Sequence, residues 1–419
     1  MGKTIVEKIL SIKSGRDAKS GDIITAKVDF VMVPDAQGPW VIEVFNKLRN
    51  QSIFDKEKIA FIIDHYVPCP NASVAAHHDM MREFCKNHGI KLYESGEGIC
   101  HRLMFEKGHI YPGGLFIGAD SHSCSYGAVS GLGTGIGATD AAVAMHYGEL
   151  WFKVPPSVKI VLKGELRPFV TAKDIALYIA GQLKASGALY GALEYCGSGI
   201  ASLDMEDRFT ICNMAVECGA KFGIMPFDEA TEVWCLEKRF DFSGATHPDE
   251  DAVYEKELVI DLSGIGCGAA LPHKVDNYAP ISDVIGTKVD MVLLGTCTNG
   301  SLKDLAQAAK ILSGHKPTDK VRFLVVPGSK ATYGEAIKAG YINTFLEHGA
   351  MILPPGCGPC CGSSAGVPGE GEVVLSTANR NFLGRMGNVK SEIYLSSPAV
   401  CAAAVIAGEI TNPEDIING

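Results

Sequence analysis

The sequence predicts an α/β protein built from parallel sheets whose strands alternate with helices. Short apolar runs, each suited to one buried strand, alternate with longer segments of helical periodicity. The 47 glycines cluster near the ends of the apolar runs, which suits the tight turns of such folds. A chain of 419 residues is too long for one hydrophobic core, so two or three domains are expected.

Each predicted element follows from its own pattern of apolar residues. Six apolar runs are expected to form buried strands, at residues 59–63, 115–117, 158–162, 291–294, 321–326 and 351–353. Helical periodicity predicts helices at residues 1–14, 71–88, 138–152, 172–184, 205–218 and 302–312. Breaks at Pro155-Pro156 and at Leu262-Ser263-Gly264 divide the chain into three predicted α/β lobes, at residues 1–155, 156–262 and 263–419.

The composition excludes several classes of function. Apolar residues make up 47% and charged residues 21%, as in soluble globular proteins, and the net charge of −10 disfavours nucleic acids and anionic membranes as partners. No apolar run reaches the about 18 residues of a membrane span, and no secretion signal is evident. With fourteen cysteines in such a chain, reduced thiols and a cytoplasmic location are expected.

Three cysteines carry most of the functional signal. Cys297 lies in Gly-Thr-Cys-Thr-Asn-Gly, and Cys357 and Cys360 lie in Pro-Gly-Cys-Gly-Pro-Cys, each directly after a predicted strand. Three thiolates can hold three corners of a cubane iron–sulfur cluster, whose fourth iron is then free to act as a Lewis acid. A zinc site or a redox pair remains an alternative for the Cys-x-x-Cys motif. However, a zinc site lacks a second obvious ligand pair, and a redox pair does not explain Cys297.

Polar residues follow two further predicted strands. Asp64-His65 and Asp120-Ser121-His122 stand where these strands end, and ligands of open α/β sheets bind beyond the carboxyl ends of strands. Buried, satisfied hydrogen bonds are the simpler interpretation of either motif alone. Together with the cysteines they suggest removal of water from a hydroxy acid, in which a histidine held by a carboxylate protonates the leaving oxygen.

Two arginines lie where such a substrate needs them. Arg380 and Arg385 follow the cysteine motif in Asn-Arg-Asn-Phe-Leu-Gly-Arg, and guanidinium groups bind carboxylates bidentately. Two surface arginines are the alternative interpretation. A nicotinamide enzyme is disfavoured, because the Gly-x-Gly-x-x-Ala of residues 133–138 does not directly follow a predicted strand and has no acidic residue at the expected spacing.

The motifs resemble those of the aconitase superfamily in order over nearly the whole chain. They are Asp64-His65, Gly98-Ile99-Cys100-His101, Asp120-Ser121-His122, Glu194-Tyr195, Ile211-Cys212-Asn213-Met214, Cys297-Thr298-Asn299, Cys357-Gly358-Pro359-Cys360 and the segment Asn379-Arg380-Asn381-Phe382 with Arg385. The most similar branch comprises the large subunits of two-subunit 3-isopropylmalate dehydratases and homoaconitases.

This resemblance implies the cofactor and the residue roles. Cys297, Cys357 and Cys360 would hold one [4Fe-4S] cluster with one iron free of protein ligands, enclosed by three packed α/β lobes. Carboxylate–imidazole pairs are implied for Asp64 with His65, Asp120 with His101, and Glu194 with His122. Ser121, Arg380 and Arg385 would bind the substrate, a small dicarboxylic hydroxy acid, and Asn299 and Asn379 would lie close to the cluster.

The resemblance also implies a partner. Single-chain relatives carry a fourth, swivelling domain that supplies a serine base, and this chain ends too soon after residue 397 to encode one. A separate small subunit is therefore expected. An iron-sensing, RNA-binding relative is a remote alternative, which the acidic net charge disfavours.

Some residues depart from the pattern of this branch. Thr296 and Cys361 replace a serine and a bulky aliphatic residue, and Cys361 is expected to be a packing residue rather than a spare ligand. Pro34-Asp35-Ala36-Gln37 replaces a His-Asp-x-Thr or Gln-Asp-x-Thr pattern. These departures bear on the substrate rather than on the reaction, so 2,3-dimethylmalate is an alternative to 3-isopropylmalate.

Overall fold

The structure is a computed structural model that describes residues 2–316, 318 and 321–418. Its amino-terminal strands are β1 (Ile23–Lys27), β2 (Phe30–Pro34), β3 (Ile59–Ile62), β4 (Lys91–Tyr93), β5 (Leu115–Gly118), β6 (Leu132–Gly135) and β7 (Glu149–Lys153). Five of them form a parallel sheet in the order β4-β3-β2-β5-β6, and β1 pairs antiparallel with β7. The helices of this region are α1 (Ile5–Ser14), α2 (Gly38–Asn46), α3 (Ala72–His88), α4 (Cys100–Glu106) and α5 (Ala138–Tyr147).

A second, smaller parallel sheet follows. Its strands are β8 (Ser157–Lys163), β9 (Ala192–Cys196), β10 (Phe222–Ile224) and β11 (Lys256–Asp261), in the order β10-β9-β8-β11. The helices between them are α6 (Ala172–Leu183), α7 (Met205–Asn213) and α8 (Glu229–Lys238).

The third sheet has seven strands and is mostly parallel. They are β12 (Gly268–Ala270), β13 (Tyr278–Pro280), β14 (Met291–Gly295), β15 (Arg322–Val326), β16 (Met351–Ile352), β17 (Val373–Ser376) and β18 (Glu392–Leu395). Their order is β13-β12-β18-β17-β14-β15-β16, with β12 antiparallel to both of its neighbours. The helices are α9 (Thr296–Asn299), α10 (Leu302–Leu312), α11 (Lys330–Lys338), α12 (Tyr341–Glu347), α13 (Pro398–Ala407) and α14 (Pro413–Asn418).

Side chains next to the helix ends determine where several helices begin. At the start of α1, Thr4 accepts the backbone N–H of Glu7, whose carboxylate accepts the N–H of Thr4 at 3.0 Å. Ser301 and Asp304 form the same reciprocal pair ahead of α10. Such capping boxes satisfy backbone donors that the first turn of a helix leaves unpaired.

The three sheets share one apolar core. A single cluster of buried residues includes Met32 of the first sheet, Ile160 of the second and Leu293 of the third. The α/β class predicted from the sequence is therefore confirmed, with lobes that pack on one another. The strands of each sheet fall within residues 1–155, 156–262 and 263–419 in turn, while the exact lobe boundaries stay predictions.

Two predicted helices are too long. Helix α5 ends at Tyr147, because Gly148 adopts a left-handed conformation with φ of 72°, and the alternately exposed and buried residues after it form β7. Helix α7 ends at Asn213 and is followed by a separate 3₁₀ turn at Ala215–Cys218. The glycine motif of residues 133–138 was also misread, since it spans the end of β6 and opens α5.

None of the helices in the described part of the chain is long and apolar enough to cross a membrane.

Leu293 provides a test of this core. It is fully buried in β14 and pairs with strands on both sides. We expect Leu293→Ala to lower the free energy of unfolding by about 3 kcal/mol, because it leaves a cavity that the sheet cannot close. Chemical denaturation measures the loss, with Leu346→Ala on exposed α12 as the control. Equal effects of the two substitutions would contradict the assignment of Leu293 to the core.

Candidate active site

Strand ends from two of the sheets deliver the candidate residues to one cavity. Asp64 and His65 follow β3, Asp120 follows β5, Cys297 follows β14, and Asn379 follows β17. The cavity has a volume of about 30 Å³, and its polar lining comprises His65, Cys100, His101, Asp120, His122, Cys297, Cys357, Cys360, Cys361, Asn379 and Arg385. The sequence-based expectation that these strand ends meet in one crevice agrees with this geometry.

The backbone before Cys297 is shaped for the site. Gly295 has φ of 125°, and a β-carbon there would lie 2.0 Å from the carbonyl oxygen of Val326. Thr296, which follows, has φ of 68°, an unfavourable conformation for a β-branched residue. Strain of this kind persists where the surrounding structure enforces it, commonly at functional sites.

Hydrogen-bond donors surround the sulfur atoms. Nδ2 of Asn379 lies 3.2 Å from Sγ of Cys297, and Nδ2 of Asn213 lies 3.6 Å from the same sulfur. Nη2 of Arg385 lies 3.8 Å from Sγ of Cys360. Donors of this kind would stabilise negative charge on the sulfurs once a metal had replaced their protons.

This donor set fits an iron–sulfur cluster. Burial raises the pKa of Cys297 to about 11 and raises the pKa of Cys357 well above its usual value. Free thiols in these positions would therefore keep their protons. A bound metal would displace those protons and take their place on the sulfurs. Three cysteines lining one cavity, with amide and guanidinium donors near their sulfurs, match the residues that such a cluster requires.

Asp64 and His65 form the first carboxylate–imidazole pair. Nδ1 of His65 lies 2.8 Å from Oδ1 of Asp64, whose other oxygen accepts the backbone N–H of Cys100 at 2.7 Å. Burial alone would lower the pKa of His65, but Cys357 in its thiolate form, Asp64 and Asp120 outweigh burial and raise this pKa well above its usual value. His65 is thus suited to remain protonated at neutral pH.

Asp35 supports this pair, and the sequence analysis did not assign it a role. Its carboxylate accepts the backbone N–H groups of His65 at 2.9 Å and Tyr66 at 3.1 Å, and bonds Nε2 of His78 at 2.9 Å. Burial opposes its ionisation, but His65 and His78 hold the pKa of Asp35 far below its usual value. The signal available was its place directly after β2, in the atypical segment of residues 34–37.

Asp120 is the centre of a second group. Its Oδ1 lies 2.8 Å from Nε2 of His101, as the sequence suggested, and also accepts the backbone N–H of His122 at 2.9 Å. Its Oδ2 lies 3.4 Å from Nε2 of His65. Although burial disfavours the charged form, His101 and the other histidines hold the pKa of Asp120 well below its usual range. Asp120 therefore stays ionised between three imidazoles.

The predicted pairing of Glu194 with His122 is wrong. Glu194 lies within β9 rather than at a strand end, and its carboxylate accepts the backbone N–H groups of Ile5 at 3.1 Å and Val6 at 3.2 Å. Its Oε1 also accepts the hydroxyl of Ser157 at 2.8 Å. Burial raises the pKa of Glu194, and these bonds partly oppose the rise. Glu194 thus fixes the start of α1 on the second lobe.

Glu217 takes the place that was predicted for Glu194. Its Oε1 lies 2.9 Å from Nε2 of His122 and 2.7 Å from Nε of Arg380. Despite burial, His122 and Arg380 lower the pKa of Glu217. The signal in the sequence was its position four residues after Asn213, whose motif formed part of the resemblance.

The remaining candidates differ in whether they line the cavity of the cysteines. Ser121 has its Oγ 3.4 Å from Nδ1 of His122 and lines a neighbouring cavity with Gln37 and Lys221. Asn299 does not line the cluster cavity, because its amide donates to Oδ1 of Asp304 at 3.0 Å. Cys361 lies at the cavity wall with its Sγ 2.7 Å from Oγ of Ser363.

Comparison with known proteins assigns the class. A family model described as "Aconitase family (aconitate hydratase)" matches residues 7–287 and 282–408. The chain belongs to the aconitase family, which confirms the resemblance found in the sequence and makes the protein a hydro-lyase. Membership in this family implies an iron–sulfur cluster.

The full-length relatives are similar over the whole chain. The 3-isopropylmalate dehydratase large subunit 1 of Thermotoga maritima is 47% identical over 421 residues, which covers 100% of both chains. The large subunit 1 of the same name from Methanopyrus kandleri is 44% identical over 414 residues, or 99% of each chain. The 3-isopropylmalate dehydratase large subunit of Thermoanaerobacter sp. is 46% identical over 418 residues, or 99% of this chain and 100% of the relative.

A more distant likeness concerns the fold alone. The crystal structure of aconitase X from Thermococcus kodakaraensis superposes with a TM-score of 0.52 at 13% identity. It covers 90% of this chain and 89% of the aconitase X chain. The packed α/β architecture is therefore that of aconitase-like proteins.

The different positions of the two glutamates predict different losses. We expect Glu194→Gln to lower the free energy of unfolding by about 2 kcal/mol, because charge-assisted bonds to α1 are lost, and to leave the turnover of folded enzyme unchanged. We expect Glu217→Gln to lower turnover roughly tenfold to hundredfold, because His122 and Arg380 lose a shared carboxylate. Thermal unfolding and steady-state kinetics measure both. Unchanged stability with lost turnover in Glu194→Gln would return Glu194 to catalysis.

Proposed function

We propose that this chain is the cluster-bearing large subunit of a dehydratase that reversibly removes water from an alkyl-substituted malate, with 3-isopropylmalate as the best candidate substrate. The observation that carries the proposal is the single cavity where three cysteines and the carboxylate–imidazole groups converge. The names of the full-length relatives support the choice of substrate.

The cofactor in this proposal is a [4Fe-4S] cluster held by Cys297, Cys357 and Cys360. When bound, it would supply Lewis-acid chemistry that makes the substrate hydroxyl a better leaving group. The residues of this chain would supply the proton for the leaving oxygen and the groups that bind the substrate carboxylates.

His65 is the best placed proton donor for the leaving oxygen. Its Nδ1 is fixed by Asp64 at 2.8 Å, while its Nε2 lies 3.4 Å from Oδ2 of Asp120, and the side chain lines the cavity. His101 has both ring nitrogens engaged, by Asp120 at 2.8 Å and by the hydroxyl of Tyr126 at 3.2 Å. His101 therefore orients Asp120, and His65 transfers the proton.

Arg385 is the best placed carboxylate ligand. Its buried Nε has no hydrogen-bond partner within residues 2–316, 318 and 321–418, and its Nη2 contacts Cys360. The free edge of the guanidinium can accept a carboxylate of the substrate, next to the sulfur that would hold the cluster. Arg380 is already bonded to Glu217, so we assign it to the orientation of that glutamate, with Ser121 as an additional substrate contact.

The proposal includes a separate small subunit, as the names of the relatives suggest for those proteins. Such a subunit would supply the swivelling domain, and with it the base that removes the proton from carbon. The net charge of −10 supports small anions rather than nucleic acids as ligands of a locally basic site. Because all fourteen cysteines are free, we also retain the predicted cytoplasmic location.

The second candidate substrate is 2,3-dimethylmalate, with homoaconitate chemistry as a further possibility. Gln37, from the atypical segment of residues 34–37, lines the cavity beside Ser121. A polar side chain at this wall changes the hydrogen bonds that the alkyl group of the substrate meets, and this observation supports an alkylmalate with a different substituent as the second candidate.

Cluster formation tests the cofactor assignment. We expect the anaerobically reconstituted chain to be brown with about four irons per chain, and Cys357→Ser to lose this cluster because a thiolate ligand is lost. Cys69→Ser, at an exposed cysteine, is the control and should keep the colour and iron content. With the small subunit present, turnover of 3-isopropylmalate, 2,3-dimethylmalate and homoaconitate selects the substrate. A colourless wild-type chain would refute the proposal.

The role of His65 can be separated from cluster binding. We expect His65→Gln to keep the cluster spectrum and to lower turnover about 10²-fold to 10⁴-fold, because the general acid is lost. His247→Gln, at an exposed histidine, should leave turnover unchanged. Spectroscopy of the cluster and steady-state kinetics with the small subunit measure both variants. Normal turnover in His65→Gln would require another proton donor.

A further inference from the structure

Lys173 is a buried lysine bonded to the segment that leads to Asn379, and the function described above does not use it. It lies in the first turn of α6 and is fully shielded from solvent. Its Nζ donates to the carbonyl oxygens of Thr377 at 2.7 Å and Ala378 at 2.6 Å. Lysine is almost never fully buried without a partner for its charge.

No ion pair of the described residues includes Lys173. Burial lowers the pKa of Lys173 to about 8, and the neighbouring groups that oppose this shift when ionised are Cys401, Cys297, Cys360 and Asp304. Burial raises the pKa of the Cys401 thiol far above neutral, so Cys401 stays uncharged. The carboxylate oxygens of Asp304 are already engaged by Ser301 and Asn299. The sulfurs of Cys297 and Cys360 would become negative on binding a cluster and would then add counter-charge for the ammonium.

The two carbonyl groups belong to the segment that carries cluster-facing residues. Thr377 and Ala378 directly precede Asn379, whose amide donates to Sγ of Cys297 at 3.2 Å. Thr377 also accepts the backbone N–H of Gly295 at 2.8 Å, two residues before Cys297. Lys173 thus holds the backbone from which one of the sulfur donors projects.

We propose that Lys173 is the counter-cation of the iron–sulfur cluster and the positioning residue of the segment at Asn379. This inference rests on the proposed function, because it requires the cluster. A cubane held by three thiolates carries net negative charge in a cavity with little water, and a fixed ammonium in the same dry region offsets that charge. The same charge would stabilise the reduced cluster, which is the more negative form.

The reduction potential separates a charge effect from a structural effect. Net charge near a cluster sets its reduction potential. The loss of two hydrogen bonds to backbone carbonyls, without a change of charge, would affect only the stability of the fold. Lys173→Met removes the charge and the donors, Lys173→Gln removes the charge but keeps an N–H donor, and Lys173→Arg keeps the charge. The measurement is the midpoint potential of the [4Fe-4S]²⁺/⁺ couple in the anaerobically reconstituted holoenzyme, followed by EPR.

Lys184→Met is the matched control. Lys184 caps the end of the same helix about 16 Å along its axis, and it also donates to a backbone carbonyl, that of Asp276 at 3.0 Å. It is exposed, so solvent screens its charge. The control therefore has the same change in net charge and the same type of lost bond, without burial beside the cluster.

We expect more negative potentials in Lys173→Met and Lys173→Gln, and wild-type potentials in Lys173→Arg and Lys184→Met. If Lys173→Met does not fold, Lys173→Gln decides. If the neutral variants fold without a cluster, recovery of the cluster in Lys173→Arg supports the proposal and its absence there overturns it. Wild-type potentials in both neutral variants overturn this inference alone, because their cluster would still support the proposed function. A wild-type chain without a cluster overturns both.

Discussion

The hydrogen bonds donated to the cysteine sulfurs of the cavity are the interaction on which the site depends. Asn213 comes from the second lobe and Asn379 from the third, and both amides point at Sγ of Cys297. Oδ1 of Asn213 in turn accepts the amide of Asn379 at 3.2 Å and the hydroxyl of Thr298 at 2.9 Å. Because the two lobes meet through this network, the sulfur environment is correct only when the lobes are packed. Folding and preparation of the metal site are therefore one event.

The same coupling organises the acid–base groups. Glu217 of the second lobe joins His122 of the first to Arg380 of the third, and Asp120 lies between three imidazoles of the first lobe. His122 and Arg380 lower the pKa of Glu217 despite its burial, and its carboxylate keeps both partners in place. The geometry at the substrate is thus set by charges that belong to different lobes, and small displacements of one lobe would disturb all of them.

The sequence predicted the groups that follow strand ends and failed for contacts made by residues elsewhere. Asp64, Asp120 and Cys297 follow apolar runs, and parallel sheets bring such positions to one edge, so their meeting follows from local pattern. Glu194 was misassigned because it lies inside β9, where the direction of a side chain depends on the pleat and on which element covers that face. Glu217 sits in a 3₁₀ turn whose position depends on how α7 packs. The end of α5 was missed because Gly148 permits a turn that helical periodicity does not register.

The division of work between the two arginines follows from their partners. Arg380 has an ionised glutamate 2.7 Å from its Nε, so a substrate carboxylate would have to compete with a charge that is already in place. Arg385 has an unpaired, buried Nε and faces a cysteine sulfur, which leaves its guanidinium edge in need of an anion. An unsatisfied buried donor is costly until a ligand pairs with it. The free energy that substrate binding recovers at Arg385 is therefore part of what directs a carboxylate to the side of the cavity where the cluster would lie.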